Sequence, residues 1–253
     1  MIFSIPDIAL GFLVLCRLSP VFFLFPVFSS KVVPNTIKVA LSLFFTMIFV
    51  GVLPLEAPSF VTAISIMLSA FAEVLIGSLI GIASRLTFWI IELAGFIISQ
   101  EMGLMMSTAM DPITNQNQST ISSLLYYLGI VIVFVTQTHH ELIWGFARSL
   151  IYFPVGTEWL EFNSLNDLIF ESARMFHVGV LMAAPFISIN MLINLTFAIL
   201  GRAAPKMNVF MVSFAVRILA GFFLLVSGCV LLAHYIEREL GRIVPVIDKF
   251  LGG

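Results

Sequence analysis

One segment of this chain is long and apolar enough to cross a bilayer, and yet it contains an arginine. Residues 208–236 run NVFMVSFAVRILAGFFLLVSGCVLLAHYI, with Arg217 in their first half. Arg17, Glu73 and Glu92 lie inside other apolar segments in the same way. An ionised side chain in hydrocarbon costs at least about 2.5 kcal/mol. Such residues normally face protein, a partner subunit or a watery path, so we expect that these segments do not all face lipid.

The composition places the chain among integral membrane proteins. Of its 253 residues, 60% are hydrophobic and 10% are charged, whereas soluble globular domains carry about 25% charged residues. The 12 basic and 14 acidic side chains leave no basic face for nucleic acid, so we expect no nucleic-acid partner. The N-terminus lacks the basic region that begins a signal peptide, and we expect it to be retained.

The apolar residues fall into segments at 8–28, 39–55, 60–82, 86–100, 121–138, 142–155, 175–200 and 208–236. A bilayer span needs about 20 apolar residues, and several of these segments are long enough. The first segment contains Arg17, Pro20 and Pro26, which we expect to break it. Segments 86–100 and 142–155 are too short to span alone and suit re-entrant or partner-buried hairpins. The sequence therefore predicts an all-α membrane protein with some bent or buried helices.

Positive charges give contradictory signals for the topology. Basic residues mark the cytoplasmic side, and they occur at Lys31 and Lys38, at Arg202 and Lys206, and at Arg238, Arg242 and Lys249. The last two groups flank the single segment 208–236, and both cannot be cytoplasmic if that segment crosses simply. Either the tail charges are weak signals or the helices do not cross in the ordinary way. The region 154–172 has four acids and no base, and we expect it outside hydrocarbon.

Gly77 and Gly81 form a G-x-x-x-G motif, in which the missing side chains let another helix approach closely. Glu73 lies one turn before Gly77 on the same helical face. A carboxylate on a tightly packed face suggests a buried polar contact with another helix. The alternative interpretation is a structural glutamate that is protonated or hydrogen-bonded.

A second polar stripe follows the C-terminal apolar segments. Its residues share one face at helical spacing, and they are Ser213, Arg217, Gly221 and Gly228. Asn190 and Asn194 form a polar pair on the preceding segment. Because only GRAAPKM joins the two segments, we expect an antiparallel helical hairpin. The stripe serves either the packing of helices or a polar path.

The most distinctive segment is 101–120, EMGLMMSTAMDPITNQNQST. Its methionines would share one face of a helix, and they are Met102, Met105, Met106 and Met110. Methionine is unbranched and adapts its shape, so it seals irregular gaps without locking them. Gly103 and the pair Asp111 and Pro112 add flexibility, and the uncharged NQNQST suits a loop or a pore lining. The alternative is a Met-rich core helix that runs into a surface loop.

The sequence gives no support for an enzyme. It lacks a phosphate-binding G-x-x-x-x-G-K-[ST] motif, a G-x-S-x-G motif and any cysteine–histidine cluster of metal spacing. His139, His140 and Glu141 are adjacent rather than spaced for a metal ion. Cys16 and Cys229 are interpreted as small buried hydrophobic residues. We therefore expect no catalytic residue, no metal and no cofactor.

A family resemblance is carried by RLSPVFFLFPVF at 17–28, VVPNTIKVALSL at 32–43, the segment from Glu73 to Gly81, GLMMSTAMDP at 103–112 and LGRAAPKMNVFMVSFAVRILAGF at 200–222. In these stretches the chain resembles the FliR family, export-gate subunits of the bacterial flagellar type III secretion system. The last stretch is the most specific, although the family more often has glutamine where Lys206 stands. The injectisome export-apparatus homologues share much of the same pattern.

The resemblance implies a fold and an assembly. Residues 183–228 resemble the helical hairpin of FliQ, so residues 173–253 would form a FliQ-like hairpin and tail. Residues 1–172 would form a FliP-like part, with a plug loop near 101–120. The single unit 1–253 would then close a helical assembly of FliP and FliQ, made of bent hairpins stacked largely above the plane of the cytoplasmic membrane. Partner subunits, rather than lipid, would cover much of its apolar surface.

The resemblance also implies a function. The protein would form and close the channel that passes unfolded flagellar proteins across the inner membrane, in the flagellar basal body. Its partners would be FliP and FliQ, together with FlhB, FlhA, membrane lipid and the export substrates. The residues of the plug would be Met102, Gly103, Met105, Met106, Met110, Asp111 and Pro112. The residues of helix packing and subunit contact would be Arg17, Glu73, Gly77, Gly81, Arg202, Pro205, Asn208, Arg217 and Gly221.

Other functions stay open at this point. An injectisome homologue would differ by neighbouring genes for needle proteins instead of hook and filament proteins. A secondary transporter of small solutes would use Glu73 and Arg217 as coupling residues, and it predicts internal repeats and broken helices that meet at mid-membrane. A purely structural scaffold would keep an intact ion barrier after deletion of residues 103–112.

Overall fold

The computed structural model describes residues 5–29, 33–55, 63–105, 119–156, 163–204 and 206–250. All regular secondary structure in these residues is α-helical, so the predicted all-α class is confirmed. The helices are α1 (Ile5–Leu24), α2 (Pro26–Ser29), α3 (Asn35–Val52), α4 (Ala63–Glu101), α5 (Thr120–Val135), α6 (Thr138–Tyr152), α7 (Asn163–Ala203), α8 (Val209–Leu240) and α9 (Ile243–Phe250).

Several helical stretches in the described residues are suited to a bilayer. Five are long and apolar enough to cross a membrane: Asp7–Leu24, Asn35–Val52, Ile64–Glu101, Ile169–Ala203 and Val209–Lys249. A break at Gln137, whose φ is 58°, separates α5 from α6, and these two would form a sixth span if they count as one. Most of the acidic region 154–172 precedes the qualifying stretch that begins at Ile169.

The prediction of separate segments 60–82 and 86–100 is wrong, because α4 runs without a break over 39 residues. The helix accommodates the polar residues that interrupt the hydropathy there. The Ser84 hydroxyl donates to the Ile80 carbonyl at 3.1 Å, and the Arg85 guanidinium donates to the Ser29 hydroxyl at 3.0 Å. Residues 86–100 therefore do not form a short re-entrant hairpin.

The N-terminal helices also differ from expectation. α1 continues through Arg17 and Pro20, and only Pro26 coincides with a break, after Phe25. Lys38 lies within α3 rather than in a loop, so it does not mark a cytoplasmic loop. It is 6% exposed, and its ammonium lies 5.6 Å from the centre of the Phe23 ring.

α3 has its polar residues inside and its apolar residues outside. The helix packs against α1 and buries Lys38, Ser42 and Thr46. Large apolar side chains lie exposed elsewhere on the helix: Ile37, Val39, Leu43, Phe44, Met47, Ile48 and Val52. A helix of this kind is suited to a surrounding of lipid or of a partner subunit.

The chain divides into two compact units that alternate along the sequence. The first comprises Met1–Thr87, Gln137–Ser172 and Gly241–Gly253, and the second comprises Phe88–Thr136 and Ala173–Leu240. In the first unit, α9 packs against α6, and Arg148 of α6 donates to the Asp248 carboxylate of α9 at 3.0 Å. In the second unit, α5 packs against α8. The parts 1–172 and 173–253, which concern likeness to partner proteins, stay a prediction.

α7 and α8 form an antiparallel hairpin within the second unit. Near the turn Gly201 lies against Val209. Further from the turn Asn194 accepts a hydrogen bond from Arg217. Further still, Arg174 forms an ion pair with Glu239. Contacts that pair earlier residues of α7 with later residues of α8 define the antiparallel arrangement.

Candidate functional site

A buried ion pair joins α1 to α4 in the first unit. Arg17 and Glu73 are each 1% exposed. The guanidinium donates from Nε to Oε2 and from Nη2 to Oε1, the second at 3.0 Å. Arginine and carboxylate pair most strongly in this bidentate geometry. The two opposite charges therefore satisfy each other inside the protein.

Two backbone groups complete the hydrogen bonding of this ion pair. Arg17 Nη1 donates to the Ser149 carbonyl at 2.7 Å, and the Gly156 amide donates to Glu73 Oε1 at 3.0 Å. α1, α4, α6 and the turn that follows α6 thus meet at one point. Removing one partner of a buried pair leaves an uncompensated charge and costs about 3–5 kcal/mol.

Glycines beside the ion pair let α1 approach α4. A Cβ added to Gly77 would lie 2.0 Å from the Arg17 carbonyl oxygen, and one added to Gly81 would lie 2.8 Å from the Leu24 Cβ. Both distances are shorter than real Cβ atoms tolerate, so both positions require glycine while α1 keeps its place. Arg17, Glu73, Gly77 and Gly81, selected from the sequence for packing, therefore lie together in one contact between helices of this chain.

In the second unit, Met102 and Gly221 are in contact. Met102 is 1% exposed, and a Cβ added to Gly221 would lie 2.3 Å from its Cγ. The methionine side chain thus occupies the space that the missing side chain of Gly221 leaves on α8. Met105 is half-buried. Met106 and Met110 lie outside the described residues.

Gly103 ends α4 in a defined conformation. Its φ is +76°, a left-handed value that glycine adopts without steric cost. The Gly103 amide donates to the Gln100 carbonyl, and the Leu104 amide donates to the Ser99 carbonyl, each at 3.0 Å. These two hydrogen bonds form a Schellman motif, a common helix C-cap. The sequence suggested Gly103 as a source of flexibility, whereas in the structure this residue determines where the helix stops.

A polar layer lies beside the contact between Met102 and Gly221. Glu101 accepts a hydrogen bond from Asn190 Nδ2, and Arg217 donates from Nη2 to Asn194 Oδ1. Glu101, Asn190 and Arg217 line one small cavity. The polar stripe on α8 and the asparagine pair on α7 therefore face each other.

The remaining sequence-predicted residues are at the hairpin turn or outside the described part of the chain. Arg202 and Asn208 are exposed. Asn208 Oδ1 accepts from the Met211 amide at 3.4 Å, as an N-cap residue of α8 does. The residues outside the described part are Pro205, Met106, Met110, Asp111 and Pro112.

Sequence reasoning missed two contacts of the second unit. A Cβ added to Gly95 would lie 2.5 Å from the Ser122 Cα, and the Ser122 hydroxyl donates to the Glu92 carbonyl at 2.8 Å. α4 and α5 therefore pack backbone against backbone, at a lone glycine that belongs to no G-x-x-x-G motif. The ion pair of Arg174 and Glu239 joins residues 65 apart, and no local pattern indicates it.

The described polar groups hold helices together. The ion pairs and hydrogen bonds above link α1 to α4, α4 to α7, and α7 to α8. Among the described residues, no group of three His, Cys, Asp or Glu side chains could hold a metal ion. The chemistry of these sites is therefore that of packing and charge neutralisation in apolar surroundings.

Comparison with known proteins gives a consistent set of relatives. The family model described as bacterial export proteins, family 1, matches residues 8–243. The chain is 26% identical to the flagellar biosynthetic protein FliR of Escherichia coli strain K12 over 226 residues, which cover 89% of this chain and 86% of that protein. It is 31% identical over 172 residues to the Caulobacter vibrioides protein of the same name, with coverage of 66% and 68%. It is 24% identical over 205 residues to the Yop proteins translocation protein T of Yersinia pestis, with coverage of 75% and 76%.

Proposed function

The chain belongs to the bacterial export proteins, family 1, and from this membership we propose that it forms and closes the channel of a flagellar protein export gate. It is a multi-pass protein of the inner membrane in the flagellar export apparatus. In the proposed role it passes unfolded flagellar proteins and catalyses no reaction of its own. The observation that carries this proposal is the match to flagellar relatives over most of the length of both proteins.

The apolar surface supports a role within a larger assembly. α8 exposes Phe222, Phe223, Val226 and Val230, and α7 exposes Met191. Exposed apolar patches of this extent mark surfaces that bind protein or membrane. We propose FliP and FliQ as the subunits that cover part of this surface, with FlhB and FlhA as further partners.

The end of α4 supports a closing role for residues 101–120. Met102 is held against Gly221, and Gly103 stops the helix, so the next residues start from a defined position. In the proposal, Met105 and the residues that follow it form a deformable seal across the channel. Methionine is suited to this task because its side chain fills irregular gaps and yields when a chain passes.

Co-purification tests the assembly. The tagged chain is co-expressed with candidate FliP and FliQ proteins, extracted in detergent and weighed by native mass spectrometry. We expect a discrete complex with one copy of this chain and several copies of each small partner. A chain that stays alone and well folded would refute the proposal and favour a solute transporter. Restoration of needle-protein secretion, without restoration of swimming, in strains that lack their own homologue would favour the injectisome function.

Deletion of residues 103–112 tests the seal. In cells that express the whole gate, the deletion is expected to let ions leak across the inner membrane, as read by a membrane-potential dye. The matched control replaces Met47 and Met67, two exposed methionines of the first unit, with alanine. An ion barrier that survives the deletion would support a scaffold without a channel role.

A further inference from the structure

A small cavity lies in the second unit, where the end of α4 meets the hairpin of α7 and α8. Glu101 and Met102 line it from α4, Asn190 lines it from α7, and Arg217 and Gly221 line it from α8. Its volume is about 10 Å³. A space of that size holds the centre of about one water molecule.

Two buried polar atoms beside this cavity have no hydrogen-bonding partner within the described part of the chain. They are Asn190 Oδ1 and Arg217 Nε. The orientation of the Asn190 amide is fixed, because the Glu101 carboxylate accepts and only Nδ2 can donate to it. The two atoms are thus an acceptor and a donor. A buried polar group without a partner costs about 1–3 kcal/mol.

We propose that one water molecule binds in this cavity, donates to Asn190 Oδ1 and accepts from Arg217 Nε. It completes a hydrogen-bonded chain from Glu101 through Asn190, the water and Arg217 to Asn194. Water suits the site better than an anion does, because the Glu101 carboxylate lines the same cavity. The site concerns this chain alone, and it goes beyond the proposed export function.

The bound water joins two opposite charges that do not touch. Glu101 is negative and Arg217 is positive, so the layer has no net charge and is tolerated in apolar surroundings. Glu101 is the last residue of α4, directly before Met102 and the helix stop at Gly103. The water therefore contributes to holding the end of α4 against the hairpin.

Electron cryomicroscopy of the full chain, purified with whatever subunits accompany it, tests the proposal. The map must resolve ordered waters. We expect a density peak about 2.7–3.2 Å from both Asn190 Oδ1 and Arg217 Nε. An empty cavity would overturn the proposal, and so would an Arg217 side chain that has turned to bind Glu101 directly.

A cavity-filling variant separates the water from its neighbours. Ala220→Val places methyl groups in the cavity lining without changing the hydrogen bond between Glu101 and Asn190. The control is Ala215→Val, the same substitution at an exposed position of α8. Hydrogen exchange of the amides at 102–104 is expected to accelerate at least about tenfold in Ala220→Val, equivalent to about 1.4 kcal/mol, and to stay unchanged in the control.

Equal exchange in the two variants would overturn the role of the water at the end of α4. If Ala220→Val does not fold, the map of the unaltered chain decides on the water itself. A peak there sustains the site, and an empty cavity removes it.

Discussion

Replacing Gly77 with alanine tests the contact between α1 and α4 directly. The added methyl would lie 2.0 Å from the Arg17 carbonyl oxygen and 2.9 Å from its carbonyl carbon. Both are backbone atoms, so no flexible side chain can turn away. To reach an ordinary contact distance of 3.4 Å, the two helices must separate by about 1.4 Å.

A separation of this size also strains the buried ion pair. The contact of Arg17 Nη2 with Glu73 Oε1 is 3.0 Å, and that of Arg17 Nη1 with the Ser149 carbonyl is 2.7 Å. Lengthening both bonds by that amount takes them beyond hydrogen-bonding distance. Breaking a buried pair costs about 3–5 kcal/mol, and alanine is about 1 kcal/mol more favourable than glycine in a helix. We expect a net loss of about 2–4 kcal/mol.

Gly11→Ala is the matched control. Gly11 also lies in a helix of the first unit, and nothing lies within 4 Å of a Cβ added there. The same substitution is therefore expected to stabilise the protein by up to about 1 kcal/mol. Thermal unfolding of both purified full-length variants in one detergent gives the comparison, and swimming of complemented cells gives a second measurement.

Equal stability of the two variants would refute the reasoning, because α1 would then move aside without strain. Loss of swimming with unchanged stability would refute it as well. That result would place the importance of Gly77 outside the contact between α1 and α4.

Three further predictions concern the two units separately. Arg17→Met and Glu73→Leu are each expected to destabilise the protein by about 3–5 kcal/mol, and the double variant by less than either, because it leaves no buried charge; a double-mutant cycle of thermal unfolding measures this, and simple additivity would contradict it. Gly95→Ala, whose methyl would meet backbone at 2.5 Å, is expected to lower the unfolding temperature more than Gly221→Ala, whose methyl meets a flexible methionine; the reverse order would count against the packing described. Gly103→Ala is expected to cost about 1–2 kcal/mol because φ is +76°, and hydrogen exchange at the next amide would show the loosened helix end.

The sequence predicts which charges are buried better than it predicts their partners. Arg17 and Glu73 stand out because each interrupts an apolar segment, and Gly77 marks the closely packed face beside Glu73. Their partnership joins residues 56 apart in the chain, so it depends on the fold and not on a local pattern. For the same reason the sequence could not assign Asn194 to Arg217.

Hydropathy fails where a neighbour decides the environment of a charge. Arg85 appears to end an apolar segment, but it binds Ser29 and α4 continues through it. Lys38 is of a type that marks cytoplasmic loops, but the Phe23 ring covers it within a helix. Hydropathy assigns each residue a value by its type, whereas long basic side chains bury their stems wherever a partner reaches the head group.

The packing of α9 against α6 ties the first unit to the order of translation. α6 ends at Tyr152 and α9 begins at Ile243, so the ribosome delivers the whole hairpin of the second unit between them. At about 5–20 residues per second, α6 waits roughly 5–20 s for its neighbour. Until Asp248 arrives, Arg148 and the apolar face of α6 are open to membrane proteases and chaperones. Arrest of synthesis in α8 would therefore leave an early half-built unit as the degradation signal, long before any defect in the hairpin itself mattered.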